Sequence, residues 1–100
     1  MFDLTLSSDE SHATLRGQLV FGEHMKFRQM ARQLVASGAP RVAIDVAGID
    51  FIDSAGLGML LLLRQEASSR NQTVVLRNSQ GQVKRMFEVS RFDKLFAIEP

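Results

Sequence analysis

Residues 48–64 read GIDFIDSAGLGMLLLLR, and this stretch decides the centre of the fold. An apolar segment leads into Asp-Ser-Ala-Gly-Leu-Gly, which is followed by one methionine and four leucines. Serine and aspartate are favoured at helix N-caps because their side-chain oxygens accept hydrogen bonds from free backbone N–H groups. The stretch therefore predicts a helix over about residues 54–69, with Asp53 or Ser54 as its N-cap.

The segments before this stretch alternate between strand and helix patterns. Apolar and polar residues alternate over 2–7 and again over 13–21, which predicts an N-terminal hairpin. Between residues 23 and 37 the apolar positions recur every three or four residues, which predicts a helix that stops at Gly38 and Pro40. A run rich in Val and Ile over 41–47 predicts a buried strand.

The segments after this stretch continue the alternation. Residues 72–78 predict another buried strand, and residues 94–99 a short last one. Between them we predict a third helix, with Ser79 as N-cap, Gln82 completing a capping box, and Val83, Met86 and Phe87 facing the core. Strands joined through helices pair in parallel. The fold class is therefore α/β, with a mixed sheet of an N-terminal antiparallel hairpin followed by parallel strands, and about three to four helices.

Composition limits the functional classes. One hundred residues, 45% of them hydrophobic, fit one domain over residues 1–100. A net charge of +1 is too small for a charge-driven nucleic-acid binder, and the absence of cysteine suits the cytoplasm. The longest apolar run, over 59–63, is far below the roughly 20 residues that cross a bilayer, and residues 1–10 lack the basic start and long apolar run that are typical of a signal peptide. We expect a cytoplasmic protein with neither nucleic acid nor membrane as a partner.

The residues offer little support for catalysis. Ser54 lacks the first glycine of the G-x-S-x-G nucleophile elbow, and only His12 and His24 are available as bases. No dinucleotide fingerprint or P-loop is present, and the spacing of Asp45, Asp50 and Asp53 matches no metal-binding loop. We therefore expect no enzyme, cofactor or metal, although a small hydrolase remains an alternative that ester turnover would reveal.

The neighbours of Ser54 indicate a binding surface. Gly56 and Gly58 lie in the first turns of the predicted helix, where alanine would be more stable, so another backbone is expected to come close. The leucines that follow surround the helix on all sides, which suits a helix partly covered by a partner. A phosphate on Ser54 would suit the helix N-terminus, but its charge of about −1.5 to −2 would repel an apolar partner. Ser54 is thus a cap, a nucleophile or a binding switch.

Two segments carry a family resemblance. IDFIDSAGLGMLLLL and the later VVLRNSQGQVKRMFEVSRFDKLF resemble the STAS domain of bacterial anti-sigma-factor antagonists over nearly the whole chain. The resemblance implies a partner-switching protein whose unmodified form binds an anti-sigma factor. That partner is usually also a serine kinase of histidine-kinase-like fold, and phosphorylation of the serine, here Ser54, lowers affinity until a serine phosphatase restores it. It also implies a partner-binding loop formed by Asp50, Asp53, Ala55, Gly56, Leu57 and Gly58.

The chain departs from that family at two points. Many members have a second hydroxyl after the phosphorylated serine, whereas this chain has Ala55, which leaves Ser54 as the one acceptor. Residues 17–25 read GQLVFGEHM, which differs from the acidic segment usual there, so the partner is expected to differ as well. STAS domains also serve as structural subunits, for example in lipid-transport complexes. A non-switching subunit with Ser54 as a simple cap is therefore the alternative.

Overall fold

The computed structural model describes residues 2–100. Its eight regular elements are β1 (Phe2–Leu6), β2 (His12–Leu19), α1 (His24–Ala36), β3 (Arg41–Ile52), α2 (Ser54–Ser68), β4 (Thr73–Arg77), α3 (Gly81–Val89) and β5 (Ala97–Glu99). Short 3₁₀ turns at Phe21–Glu23 and Phe92–Lys94 precede α1 and β5. The predicted order of strands and helices is confirmed, and most boundaries agree within three residues.

The five strands form one mixed sheet in the order β1-β2-β3-β4-β5. β1 pairs with β2 antiparallel, and every later neighbour pairs in parallel. The predicted α/β fold class, with an antiparallel hairpin at one edge and parallel strands beyond it, is therefore confirmed. Since β2 and β3 run in parallel, the end of β2 and the start of α2 lie at the same end of the sheet.

All three helices pack against one face of the sheet around a single apolar core. The predicted inner face of α1 is buried, and Val83 and Phe87 of α3 are buried beside it, with Met86 packed on the core's margin. The opposite face of the sheet is polar. There Glu99 of β5 accepts hydrogen bonds from Arg41 of β3 and Arg77 of β4 at 3.0 and 2.8 Å. These ion pairs link the three strands on the face that the helices leave uncovered.

β3 is longer than the sequence predicts. It runs five residues past Ala47, and its register against β2 contains two irregularities, each with one extra residue in β3. A bulge interrupts the alternation of buried and exposed side chains. For this reason the sequence pattern did not predict the second half of β3. The close approach of β3 to β2 at the bulge also requires a glycine at position 48. A Cβ added there would lie 2.6 Å from the Arg16 Cγ and 2.9 Å from the Leu15 carbonyl oxygen.

The predicted capping box of the third helix is wrong. α3 begins at Gly81, its N-cap is Gln80 in extended conformation, and no side chain caps it. Gln82 does not bond back to Ser79, because its amide instead makes two hydrogen bonds to the backbone of Ile52. The Ser-x-x-Gln pattern is thus typical of a cap without forming one here. The glutamine instead contacts a residue that lies thirty positions earlier in the sequence.

Candidate functional site

Asp53 is the N-cap of α2. Its Oδ1 accepts a hydrogen bond from the backbone N–H of Gly56 at 2.7 Å, and its Oδ2 accepts one from the N–H of Phe21 at 3.4 Å. Its carbonyl oxygen accepts from the N–H of Leu57 at 3.1 Å. One aspartate thus fixes the first turn of α2 and ties it to the turn that follows β2. Of the two caps the sequence allowed, Asp53 fills the position and Ser54 does not.

Ser54 is the first residue of α2, and its side chain is exposed. Within residues 2–100, no side chain or backbone group forms a hydrogen bond with its hydroxyl. The positive end of the helix dipole lies at this position, where negative charge is stabilised. The hydroxyl is therefore accessible to a modifying enzyme, and it is not needed to begin the helix.

The two glycines after Ser54 have different roles. Gly56 is buried, and an added Cβ would clash with the carbonyl oxygen of Leu19 and lie 2.7 Å from the Ile52 Cγ1. The backbone approach expected there is thus made by β2 of the same chain, which corrects the prediction of a partner at this glycine. Among residues 2–100, no atom beyond the chain neighbours and the surrounding helix backbone lies within 4 Å of a Cβ added at Gly58, so the space beside it is open.

The outer face of α2 begins at Ser54 and carries exposed leucines. At 100° per residue, Ser54, Gly58, Leu61, Leu62 and Gln65 lie on the side away from the core. Leu62 is 67% exposed and Leu61 38%, whereas Leu57, Leu60 and Leu63 are buried. The leucine run is thus divided between core and surface, and we call the five outward positions the α2 outer face.

A groove between α1 and α2 extends this apolar surface. It has a volume of about 540 Å³, and its walls include Phe27, Met59 and Leu62. Two further large apolar side chains, Phe21 and Met25, are about two-thirds exposed near the start of α1. Phe21 stacks on His24, with 5.1 Å between ring centroids. The sequence alone does not single out Phe21, because its hydrogen bond to Asp53 depends on the fold.

Asp50 is not grouped with the start of α2. It lies in β3, is exposed, and lines a polar depression of about 320 Å³ with Asp3, Arg16 and Gln18. Asp45 likewise serves a local purpose, since it accepts hydrogen bonds from the N–H of Ala47 and the side chain of Asn78. The three aspartates of the central segment therefore have separate environments. Among residues 2–100, no group of three His, Cys, Asp or Glu side chains is arranged to hold a metal ion.

The histidines are engaged elsewhere. His12 is in contact with Ser11 and with the Arg77 guanidinium at 3.2 Å each, and His24 Nδ1 lies 3.1 Å from the carbonyl oxygen of Phe21. In the described part of the chain, neither ring forms a hydrogen bond with Ser54. Neither histidine is therefore placed as a hydrogen-bonded base for Ser54.

Like Phe21, Gln82 contacts the site in a way that the sequence did not predict, because it bonds to the strand that leads to Asp53. Its Oε1 accepts from the N–H of Ile52 and its Nε2 donates to the Ile52 carbonyl oxygen, both at 2.9 Å. Ile52 is the last residue of β3 and immediately precedes Asp53. α3 therefore holds the strand end from which the site begins.

Comparison with known proteins identifies the family. A family model described as "Mlab, STAS domain" matches residues 2–98. A STAS-domain containing protein of Pseudomonas aeruginosa is 36% identical over 94 residues, covering 92% of each chain. A protein of Bordetella bronchiseptica, provisionally named anti-sigma factor antagonist BtrV, is 33% identical over 64% of this chain and 55% of its own length. The chain belongs to the STAS domain family.

Solved structures agree in fold. The anti-sigma factor antagonist SpoIIAA in its unphosphorylated form superposes with a TM-score of 0.71 at 18% identity, covering 100% of this chain and 87% of its own. The phosphorylated form of SpoIIAA, described as a Bacillus cell fate determinant, gives 0.68 at 19% identity, covering 98% and 90%. The shared architecture is the mixed α/β fold with one sheet and its helices. In the part of the chain that is described, no helix is both long and apolar enough to cross a bilayer.

Proposed function

We propose that this STAS domain is an anti-sigma factor antagonist in a partner-switching pathway, with Ser54 as the switch. The unphosphorylated chain binds an anti-sigma factor that is also a serine kinase of histidine-kinase-like fold, and the kinase then releases its client. Phosphorylation of Ser54 abolishes this binding, and a serine phosphatase reverses it. The name of the Bordetella relative supports the general role.

One observation carries the assignment of the switch. Among residues 2–100 nothing forms a hydrogen bond with the exposed hydroxyl of Ser54, which begins the α2 outer face with its two exposed leucines. A hydroxyl that merely capped the helix would be hydrogen-bonded to it, but Asp53 already makes that bond. Ser54 is therefore free to accept a phosphate without loss of the cap.

The effect of the phosphate follows from its charge. Phosphoserine carries about −1.5 to −2 charges, which would change the net charge from +1 to about −1. The positive end of the α2 dipole stabilises such a charge in the free chain. A partner that packs on Gly58 and Leu61 would have to desolvate the phosphate, which is costly when no cation pairs with it. The fold therefore tolerates phosphorylation, and the complex does not.

In this scheme the chain is a kinase substrate and has no catalytic activity of its own. It acts in the cytoplasm, where kinase, phosphatase and sigma factor are present together. Asp53 shapes the start of α2, and Ala55 and Gly58 belong to the segment that the partner covers. Leu57, which the resemblance placed in the same segment, is buried in the core and supports that segment from below. Asp50 lies in β3 rather than in that segment, so we propose only a peripheral contact for it.

The test is a pull-down of the partner from a lysate of the source cells, with the captured kinase identified by mass spectrometry. Wild type and Ser54→Ala should capture it equally, whereas Ser54→Asp should lose most of it. Ser8→Asp provides a matched control, because Ser8 is exposed in the turn between β1 and β2 at the opposite end of the sheet. Equal loss with Ser8→Asp would show a general charge effect and contradict the proposal.

A second measurement addresses the modification itself. The captured kinase and ATP should add one phosphate to the wild-type chain and none to Ser54→Ala, as read by intact mass and peptide mapping. Phosphate found at another residue, with Ser54→Ala still modified, would exclude Ser54 as the acceptor.

The apolar extent of the α2 outer face also suits a permanent interface. The second candidate is therefore a non-switching structural subunit of a larger assembly, such as a lipid-transport complex. Such a subunit should retain its partner in wild type, Ser54→Ala and Ser54→Asp alike, and the pull-down separates the two functions.

A further inference from the structure

The distal half of β3 lacks a strand on one side. β4 pairs with β3 only over Arg41–Asp45, while β2 continues to pair with β3 up to Ile52. The side of residues 46–52 that faces away from β2 is therefore left without a neighbouring strand, although its backbone groups still require partners. The start of α3 lies beside this segment and supplies partners for the carbonyl oxygen of Ala47 and for both backbone groups of Ile52.

Two glutamines at the start of α3 bond to β3. Gln80 Nε2 donates to the carbonyl oxygen of Ala47 at 3.0 Å. The half-buried Gln82 forms both a donor and an acceptor bond with Ile52, each at 2.9 Å. A primary amide offers a donor and an acceptor side by side, as a strand residue does. Gln82 thus occupies the place that a paired strand would fill at the end of β3.

We propose that Gln82 is a positioning residue for the switch. By fixing the N–H and carbonyl groups of Ile52, it sets the backbone direction from which Asp53 and Ser54 leave the sheet. The Ile52 side chain is buried in the core. The end of β3 is therefore fixed both by the packing of this side chain and by the hydrogen bonds of Gln82 to its backbone. The functional consequence rests on the proposed role of Ser54, whereas the structural claim is testable on the free chain.

The variant Gln82→Met removes both hydrogen bonds at nearly constant shape. Gln82→Glu keeps an acceptor for the Ile52 N–H but loses the donor to the carbonyl oxygen. Gln80→Met is the matched control. It removes a hydrogen bond from the same turn to Ala47, which lies in β3 five residues before Ile52. Should Gln82→Met fail to fold, Gln82→Ala, which also removes both hydrogen bonds to Ile52, gives the same measurements.

The first measurement is amide hydrogen exchange and chemical shift by NMR on the free chain. In Gln82→Met, the Ile52 amide should exchange about tenfold faster, as loss of one hydrogen bond predicts, and the Ser54 resonance should shift. Ile44, which is paired on both sides, should keep its protection, and Gln82→Glu should retain more protection at Ile52 than Gln82→Met. Gln80→Met should leave Ile52 and Ser54 unchanged.

The second measurement is the rate of Ser54 phosphorylation and the capture of the partner. Gln82→Met should lower both about tenfold or more, while Gln80→Met stays near wild type. An unchanged Ile52 amide, an equal increase of exchange at Ile44, or an unmoved Ser54 resonance would each overturn the positioning role. If wild type itself is not phosphorylated at Ser54, the proposed function fails, and the NMR result still decides the role of Gln82.

Discussion

The two glycines of α2 should respond in opposite directions to the same added methyl group. At Gly58 a Cβ meets no atom within 4 Å, so Gly58→Ala gains the helix propensity of alanine without a clash. That gain is about 0.8–1 kcal/mol in a helix interior. For a domain of this size, such a change raises the melting temperature by roughly 4–8 °C.

At Gly56 the same methyl group must displace backbone. The carbonyl oxygen of Leu19 belongs to β2 and cannot rotate away as a side chain would, and Ile52 closes the other side. Overpacking of this kind typically costs about 1–3 kcal/mol, which exceeds any gain in propensity. Gly56→Ala should therefore lower the free energy of unfolding, with the strain also weakening the Asp53 cap.

The assay is urea denaturation of wild type and both variants, followed by circular dichroism. The denaturant midpoint should rise for Gly58→Ala and fall for Gly56→Ala, with similar slopes, since the surface exposed on unfolding hardly changes. If the α2 outer face binds the partner, Gly58→Ala should also bind more weakly in spite of its greater stability. A less stable Gly58→Ala, or a Gly56→Ala as stable as wild type, would refute the reasoning from space around each Cβ.

Two further outcomes follow from the aspartates. Asp53→Ala should lower stability by about 0.5–2 kcal/mol in chemical denaturation, because the N–H of Gly56 loses its acceptor, and Asp53→Asn should recover part of this loss. Hydrogen bonds from the backbone N–H and hydroxyl of Ser11 and from the hydroxyl of Ser7 lower the pKa of Asp9 to about 2 from its ordinary 3.8. The ionised Asp9 therefore stabilises the fold above about pH 4, and this contribution disappears as the pH falls through about 2. Melting temperatures measured from pH 5 to pH 2 should fall less for Asp9→Asn than for wild type, and parallel curves would contradict this.

The elements that periodicity defines were predictable. Phe27, Met30 and Leu34 recur at helical spacing, and all three are buried on α1 as expected. Strands joined through helices were expected to pair in parallel, and the pairing of β2, β3, β4 and β5 confirms this. The periodicity that defines each element lies within about fifteen consecutive residues, which is the window in which a hydrophobic pattern can be read.

The features that escaped prediction depend on contacts between distant segments. The neighbour of Gly56 is the backbone of Leu19. The residues around position 56 do not indicate which segment of the protein, or of a partner, approaches this glycine. Gln82 lies in a pattern that also fits a capping box, and only the position of Ile52 decides between the two. The exposure of Leu62 and the burial of Leu63 likewise depend on the angle at which α2 meets the sheet.

The short β4 has a consequence for how the protein behaves at high concentration. A strand whose edge is free can recruit a strand from another molecule, which is a common route to aggregation. Residues 46–52 of β3 have such an edge, and the glutamines of α3 occupy polar groups along it. Detachment of α3 would uncover this edge and, with it, the core residues that Val83 and Phe87 cover. We therefore expect variants that loosen α3 to self-associate more readily than wild type, at the strand that leads to Ser54.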